Sequence, residues 1–322
     1  MFFYSSFASA GAFDTERWES ILTDIRTQAE NKNIRKSVID ETLKSPFLIP
    51  GIVKSDKNQS EFTLTLEQYL NRTVTPERIK NGQAMRKKYP TLLNNVYKTY
   101  NVPPEVTLAF WGMESNYGKT KSKHQLTNAF LTLIYDGRRE KFFKDQLLSL
   151  MKTADKNKLS INKIHGSWAG AMGHFQFIPT TLEQYGVDGN KDGRIDIINN
   201  IVDAMFSAGN YLNKLGWNPK EPIAERVILP TNFDINILDG NTKKTLKEWA
   251  ILGVMYQNGS PVPESDTIVG LVADTKELSK STPENQTIVT AYLTYPNFYR
   301  IKKWNNSSWY ALAIAELSEK LK

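Results

Sequence analysis

Apolar residues recur along most of this chain at the three- and four-residue spacing of a helix that buries one face. Residues 14–44 and 60–100 carry that spacing with mixed charge between the apolar positions. A break containing proline and glycine falls at 45–51, and Thr75-Pro76 marks a fresh start, since threonine caps a helix and proline suits its first turn. Further amphipathic helices are predicted at 126–135, 138–154, 179–185 and 201–215, with a last one at 308–321. The stretch 165–173, rich in glycine and alanine, is predicted as a loop whose backbone comes close to a ligand or a neighbouring helix. Between Gly216 and about Asn285 the helical period fades, and pieces at 226–229 and 267–272 suit short strands. No internal repeat or low-complexity segment breaks this mainly α pattern.

One predicted helix carries the chemistry. Pro103-Pro104 fits its start and Gly118 its stop. Residues turn by about 100° each around a helix, so with Glu114 at zero Thr107 falls at roughly +20°, Phe110 at roughly −40°, Trp111 at roughly +60° and Val106 at roughly −80°. Glu114 is thus expected inside an apolar arc at a helix C-terminus, where burial and the helix dipole both disfavour its anion. A glutamic acid kept protonated near neutral pH suits donation to a glycosidic oxygen as its bond breaks. The competing reading is a boundary glutamate that reaches into water.

A second signal is the run 188–196, Asp-Gly-Asn-Lys-Asp-Gly-Arg-Ile-Asp. Asp188, Asn190, Asp192 and Asp196 put oxygens at positions 1, 3, 5 and 9, and Gly193 at 6 permits the sharp turn. Arg194 offers its carbonyl at 7, and Ile195 at 8 is expected to point inward. This resembles a calcium loop in all but its last ligand, because Asn199 stands where a bidentate glutamate belongs; either coordination is weak or a later carboxylate, Asp203, completes it. An Asp/Asn/Gly turn that binds nothing is the alternative.

Composition narrows the classes. The chain has 322 residues, 40% hydrophobic and 23% charged, enough for a sizeable core of two or three lobes. Its net charge of +7 comes from scattered lysines, which argues against a nucleic-acid arm and for at most a weak preference for an anionic polymer. The absence of cysteine excludes disulfides, thiol nucleophiles, zinc thiolates and a lipid anchor on this chain. His124, His165 and His174 lack zinc-like spacing and suit surface or supporting roles. No stretch has the ~20 uninterrupted apolar residues of a membrane span. Residues 1–13 read either as a shortened export signal, with Ala8-Ser9-Ala10 resembling a cleavage site but no basic leader, or as a frayed terminus.

Several motifs occur together in one order: Glu114-Ser115-Asn116-Tyr117-Gly118; the run 167–179, Ser-Trp-Ala-Gly-Ala-Met-Gly-His-Phe-Gln-Phe-Ile-Pro; the calcium-type loop; Asn297-Phe298; and Trp304-Asn305-Asn306-Ser307-Ser308-Trp309-Tyr310-Ala311. In this the chain, from about Trp18 to its end, resembles the lytic murein transglycosylase B family. The resemblance implies a lysozyme-like helical core, similar to goose-type lysozyme, with an additional helical lobe and a small linking domain carrying an EF-hand-like calcium loop. It suggests a helical lobe at 14–100 together with C-terminal segments, the core at 101–185, the loop and linking segment with short strands at 186–290 and a C-terminal groove-wall segment and helix at 291–322.

It also implies cleavage of the bond from N-acetylmuramic acid to N-acetylglucosamine in peptidoglycan, leaving 1,6-anhydromuramoyl ends. Glu114 would be the sole acid and base, and Ser167, Gln176, Asn305, Tyr310, Tyr211 and Tyr69 would line the glycan. Asp188, Asn190, Asp192, Arg194 and Asp203 would hold a structural calcium ion. Other implications are a periplasmic monomer, glycan strands as substrate, and cell-wall synthesis or remodelling proteins as partners. Two departures bear on the groove wall: Trp304 stands where tyrosine is usual, and His174-Phe175 replaces an aromatic-glycine pair. Phe142 or Phe143 would extend that wall.

A glycosidase normally uses two carboxylates. Asp136, Glu140 and Glu183 are candidates for a second, without comparable motif support. The resemblance instead implies substrate assistance, with the 2-acetamido oxygen stabilising charge and the sugar's C6 hydroxyl attacking. A muramidase that hydrolyses the same bond, and a calcium-stabilised glycan-binding module without catalysis, are the rival readings.

Overall fold

The computed structural model describes residues 13–57, 64–120, 122–230, 233–274 and 290–322, so the reading of the extreme N-terminus lies outside the described residues. Helices run in chain order α1 (Thr15–Asn31), α2 (Lys36–Leu43), α3 (Ile52–Lys57), α4 (Leu66–Thr73), α5 (Pro76–Lys88), α6 (Pro90–Tyr100), α7 (Pro104–Ser115), α8 (Leu126–Asp136), α9 (Glu140–Lys156), α10 (Pro179–Tyr185), α11 (Ile201–Lys214), α12 (Leu246–Ile251), α13 (Pro296–Trp304) and α14 (Ser308–Lys320). Strands are β1 (His124–Gln125), β2 (His165–Gly166), β3 (Ala224–Ile228), β4 (Asp239–Thr245), β5 (Met255–Tyr256), β6 (Ile268–Ala273) and β7 (Thr290–Thr294). None of the helices is long and apolar enough to cross a membrane among the described residues.

The helix starts follow local chemistry. Thr75 accepts from the Arg78 N–H ahead of Pro76, and Thr65 forms a capping box with Gln68, as Thr245 does with Glu248. Each such cap is worth about 1 kcal/mol. The periodic stretch 14–44 is two helices, because Asn33 turns left-handed (φ 57°) between α1 and α2. The stretch 60–100 holds three, since prolines 76 and 90 each open a helix.

Contacts divide the chain into two units that interleave in sequence. The first holds residues 13–57, 122–172 and 176–184. Its centre is α8, buried along Leu126–Ile134, which packs on α9, and α1 and α2 close against that pair. β1 and β2 pair antiparallel through His124 and Gly166. This packing is why α1 and α2 do not share a lobe with α4–α6.

The second unit holds residues 64–120, 173–175, 185–274 and 290–322. Here α14 packs on α7 and α4, α5 packs on α7, and α6 packs on α11 and α7. The same unit carries an antiparallel sheet in the order β4-β6-β7-β3-β5. Its apolar face is filled by Val227, Leu271, Leu293 and the fully buried Trp249, whose indole N–H donates to the Val269 carbonyl at 3.1 Å.

Candidate active site

The predicted start of α7 holds, with Pro104 at its first turn, but the helix stops two residues earlier than Gly118 suggested. Asn116 (φ 49°), Tyr117 (φ 60°) and Gly118 (φ 79°) are successively left-handed. Asn116 N–H returns to the Gly112 carbonyl and Tyr117 N–H to that of Trp111, satisfying carbonyls the last turn leaves open. Asparagine tolerates that conformation; tyrosine does not do so readily, and packing holds it there. The Tyr117 ring is buried against Trp111, and its hydroxyl donates to the Arg78 carbonyl at 3.0 Å.

This turn leaves Glu114 half-buried in the last turn of α7. Two donors converge on its Oε1. The Trp304 indole N–H donates at 2.9 Å from the end of α13, and the Tyr310 hydroxyl donates at 2.5 Å from α14. Trp304 rests on Phe110 and on Tyr211, both 4.8 Å between ring centres, and Tyr211 stacks on Tyr185 at 4.4 Å. The Tyr211 hydroxyl donates to the Lys303 carbonyl at 3.3 Å, and burial, then Tyr185, pushes its pKa up, so the phenol keeps its proton. The residues of the foreseen arc, Val106, Thr107, Phe110 and Trp111, are buried, and α13 and α14 bring two polar donors that the helical wheel of α7 alone does not contain.

Ser115 ties the other side of the turn. Its hydroxyl donates to the His174 carbonyl at 2.6 Å and accepts from Gly118 N–H at 2.9 Å. Trp111 Nε1 donates to His174 Nδ1 at 3.0 Å, which places the neutral ring's proton on Nε2. Burial, against the charge of Asp196, lowers the His174 pKa. A histidine depressed in the folded state supplies stability that is present above pH ~6.5 and lost as pH falls through its folded value. Going from pH 7 to pH 5 should therefore lower the melting temperature of the wild type more than that of His174→Gln. Equal losses would show that the ring does not titrate this way.

The other expected residues are distributed as follows. Asn305 caps the end of α13, and its Oδ1 accepts from Ser307 N–H at 3.1 Å. Tyr69 is half-buried on α4. Ser167 and Gln176 belong to the first unit. The Ser167 hydroxyl accepts from Ala171 N–H at 3.0 Å within a tight turn, and Gln176 is left-handed (φ 48°) in a turn closed by Met172 and Phe177, whose N–H groups donate to each other's carbonyls at 3.0 Å. Gly170 sits against Phe130 in the same unit, which is the close backbone approach foreseen for this run. Of the adjacent phenylalanines, Phe143 is buried and Phe142 exposed. Glu140 pairs with Lys144 and Arg17, and Glu183 with Lys152.

The calcium-type loop is closed by its own oxygens. Asp188 accepts from Asp192 and Gly193 N–H, Asp192 accepts from Arg194 N–H and from the Asn190 amide, and Asp196 accepts from Ile198 and Asn199 N–H. Asp203, fully buried on α11, joins the loop: its two oxygens accept from Gly189, Asn190 and Asp196 N–H. Burial raises its pKa, and the charge of Asp188 adds to this, against the three backbone bonds. Ile195 is half-buried, whereas Ile197 is buried, and its carbonyl accepts from His174 N–H at 3.2 Å. Among the described residues no three His, Asp or Glu side chains gather as a metal cage. Asp188, Asn190 and Asp192 instead share one loop, their oxygens engaged by its own N–H groups.

Residues 17–319 match the transglycosylase SLT domain family. The chain belongs to this family. It is 28% identical over 258 residues to the membrane-bound lytic murein transglycosylase B of Escherichia coli (strain K12), a match covering 78% of this chain and 66% of that relative's length. It superposes on SltB3 from Pseudomonas aeruginosa, solved in complex with NAG-NAM-pentapeptide, with a TM-score of 0.86 at 35% identity over 94% of this chain and 79% of that one. The Escherichia coli lytic transglycosylase Slt35, solved in complex with calcium, gives a TM-score of 0.79 at 25% identity over 94% of this chain and 92% of that one. The expected mainly helical, lytic-transglycosylase fold is thus the fold observed.

Proposed function

We propose that this SLT-family chain is a peptidoglycan lytic transglycosylase, with Glu114 as its acid and then its base. The observation that carries the reading is the single carboxylate of Glu114 at the end of α7, gripped on one oxygen by Trp304 and Tyr310, in a chain that matches the family over residues 17–319. Its similarity to SltB3, which was crystallised with a NAG-NAM-pentapeptide, supports a glycan substrate. Glu114 protonates the glycosidic oxygen as the bond to C1 of N-acetylmuramic acid breaks. The substrate's 2-acetamido oxygen meets the developing positive charge, and the carboxylate then takes the proton of the C6 hydroxyl as that oxygen bonds to C1. The product is a 1,6-anhydro end, and water is not the nucleophile. Within the second unit, Tyr69 offers a ring face and Asn305 a hydrogen bond to a sugar, whereas Tyr211, packed against Tyr185 and Trp304, and Tyr310, buried with its hydroxyl on Glu114, brace the carboxylate. The same proposal has the protein act in the bacterial envelope, as a periplasmic monomer beside wall-building or remodelling proteins.

Digestion of purified peptidoglycan in ¹⁸O-labelled water tests this. Anhydromuramoyl ends without label are expected by mass spectrometry; labelled reducing ends would make the protein a muramidase, and no digestion would make it a binding module.

Calcium in this proposal is structural, held by Asp188, Asn190, Asp192 and the Arg194 carbonyl, with Asp203 behind them. A cation bound only by the folded state stabilises by mass action, about 2.7 kcal/mol at a hundredfold excess over its dissociation constant. Saturating calcium should raise the melting temperature by about 5 °C. Replacing Asp188 and Asp192 with alanine should erase that rise. Calcium removal that leaves stability intact yet stops turnover would move the ion into the chemistry.

A further inference from the structure

Lys243 on β4 lies outside every motif of the candidate site, yet its ammonium is held tightly. In the sheet register Lys243 faces Gly270 of β6, and Gly270 faces Thr294 of β7. The middle of that row has no side chain, and the hydroxyl of Tyr299 from α13 fills the gap: a Cβ on Gly270 would collide with it and stand 2.9 Å from both Lys243 Nζ and Thr294 Oγ1. Tyr299 Oη donates to the Gly240 carbonyl at 2.8 Å, which leaves the Thr294 hydroxyl, 2.6 Å away, as donor to it. Lys243 Nζ donates to the same Gly240 carbonyl at 2.8 Å and sits 3.0 Å from the centre of the Tyr299 ring. That carbonyl is presented by a bulge between Asp239 and Lys243, with Gly240 at φ 77°. Five residues beyond Tyr299, about 7.5 Å along the axis, α13 ends in Trp304, the donor to Glu114.

We propose that Lys243 and Tyr299 form a clamp that fixes α13 to the sheet and so holds the Trp304 indole on Glu114. Lys243 is then a positioning residue for the reaction proposed above, on which this inference rests. A cation against an aromatic face and a carbonyl resists sliding of the ring, and a small displacement of the helix suffices to break the hydrogen bond at its end.

Burial pushes Lys243 down to about 8, the charge of Lys302 on α13 adds to this, and Asp239 on β4 offsets part of it. The remaining facing groups are the Tyr299 phenol, itself pushed up by burial, and the non-titrating Gly270 and Thr294. A lysine depressed in the folded state weakens folding at neutral pH, and the loss is relieved only as pH rises from about 8 toward its free value. Lys243 as a whole is exposed on β4, so solvent screens much of this loss, and the clamp rests on its geometry.

The test follows the Trp304 indole ¹⁵N–¹H signal, assigned with Trp304→Phe, together with turnover of soluble glycan strands and thermal melts at pH 7. Lys243→Met should move or broaden the Trp304 signal and lower kcat about tenfold, with KM nearly unchanged and no loss of melting temperature. Lys243→Arg, always charged and able to stack on the ring, should restore both signal and kcat. In the wild type the Trp304 signal should shift with a midpoint near pH 8, and in Lys243→Arg it should not. A Lys243→Met protein with a wild-type signal and turnover overturns the clamp, as does one whose melting temperature and turnover fall together while the signal stays in place. Absence of turnover in the wild type sinks the functional proposal instead, and the Trp304 signal alone then decides the clamp.

Discussion

Glu114→Gln is expected to lower turnover of purified peptidoglycan by about a thousandfold. Glycan affinity should stay within about threefold of wild type. The amide has the shape of the carboxyl, and its oxygen can still accept from Trp304 and Tyr310, which both address Oε1. The side chain therefore remains seated, and only the cycling of a proton is lost. Release of soluble fragments from labelled sacculi measures the first quantity and calorimetric titration with glycan strands the second. A variant that keeps more than a tenth of wild-type turnover removes Glu114 from the chemistry.

The next largest effect should come from the two donors. Trp304→Phe deletes an indole N–H but keeps an aromatic ring against Phe110 and Tyr211, and Tyr310→Phe deletes only a hydroxyl. A hydrogen bond to a charged group is worth about 1.5–3 kcal/mol, so each change should lower kcat by about 10- to 100-fold. Because both bonds end on one oxygen, the double variant should fall well short of the product of the two single losses. Kinetics on soluble glycan strands for the four proteins of the cycle measure this. Full additivity would mean that the two donors act on separate steps, and single losses below twofold would mean that neither holds the carboxyl during the reaction.

The local signals were the legible ones. Glu114 at the end of α7 follows from Pro104 and the turn residues after it, α10 falls where its pattern predicts, and the strands at β3 and β6 lie within a few residues of the apolar pieces that suggested them. Gly118 misled by two residues because Asn116 supplies the left-handed cap first. What sequence could not reveal depends on long-range packing. β4, with the sequence Asp-Gly-Asn-Thr-Lys-Lys-Thr, has no strand pattern of its own and is a strand because β6 pairs with it. The site shows the same limit. Trp304 reads as a mere departure at a tyrosine position, and its role as donor emerges only when α13 lies across α7, 190 residues earlier in the chain. The single hint was its place directly before Asn305 in a motif that already contained Tyr310.

The left-handed Tyr117 ring has a consequence for how this sequence can diverge. Its hydroxyl occupies the space in which a Cβ on Gly82 of α5, or on Gly112 of α7, would stand. The ring thus works as a key cut for two locks, and a single methyl at either glycine must expel it. A side chain at position 82 or 112 therefore requires a smaller or displaced residue at 117. Gly112 precedes Glu114 by two residues, so an uncoordinated change would reach the carboxylate before it reached the rest of the fold.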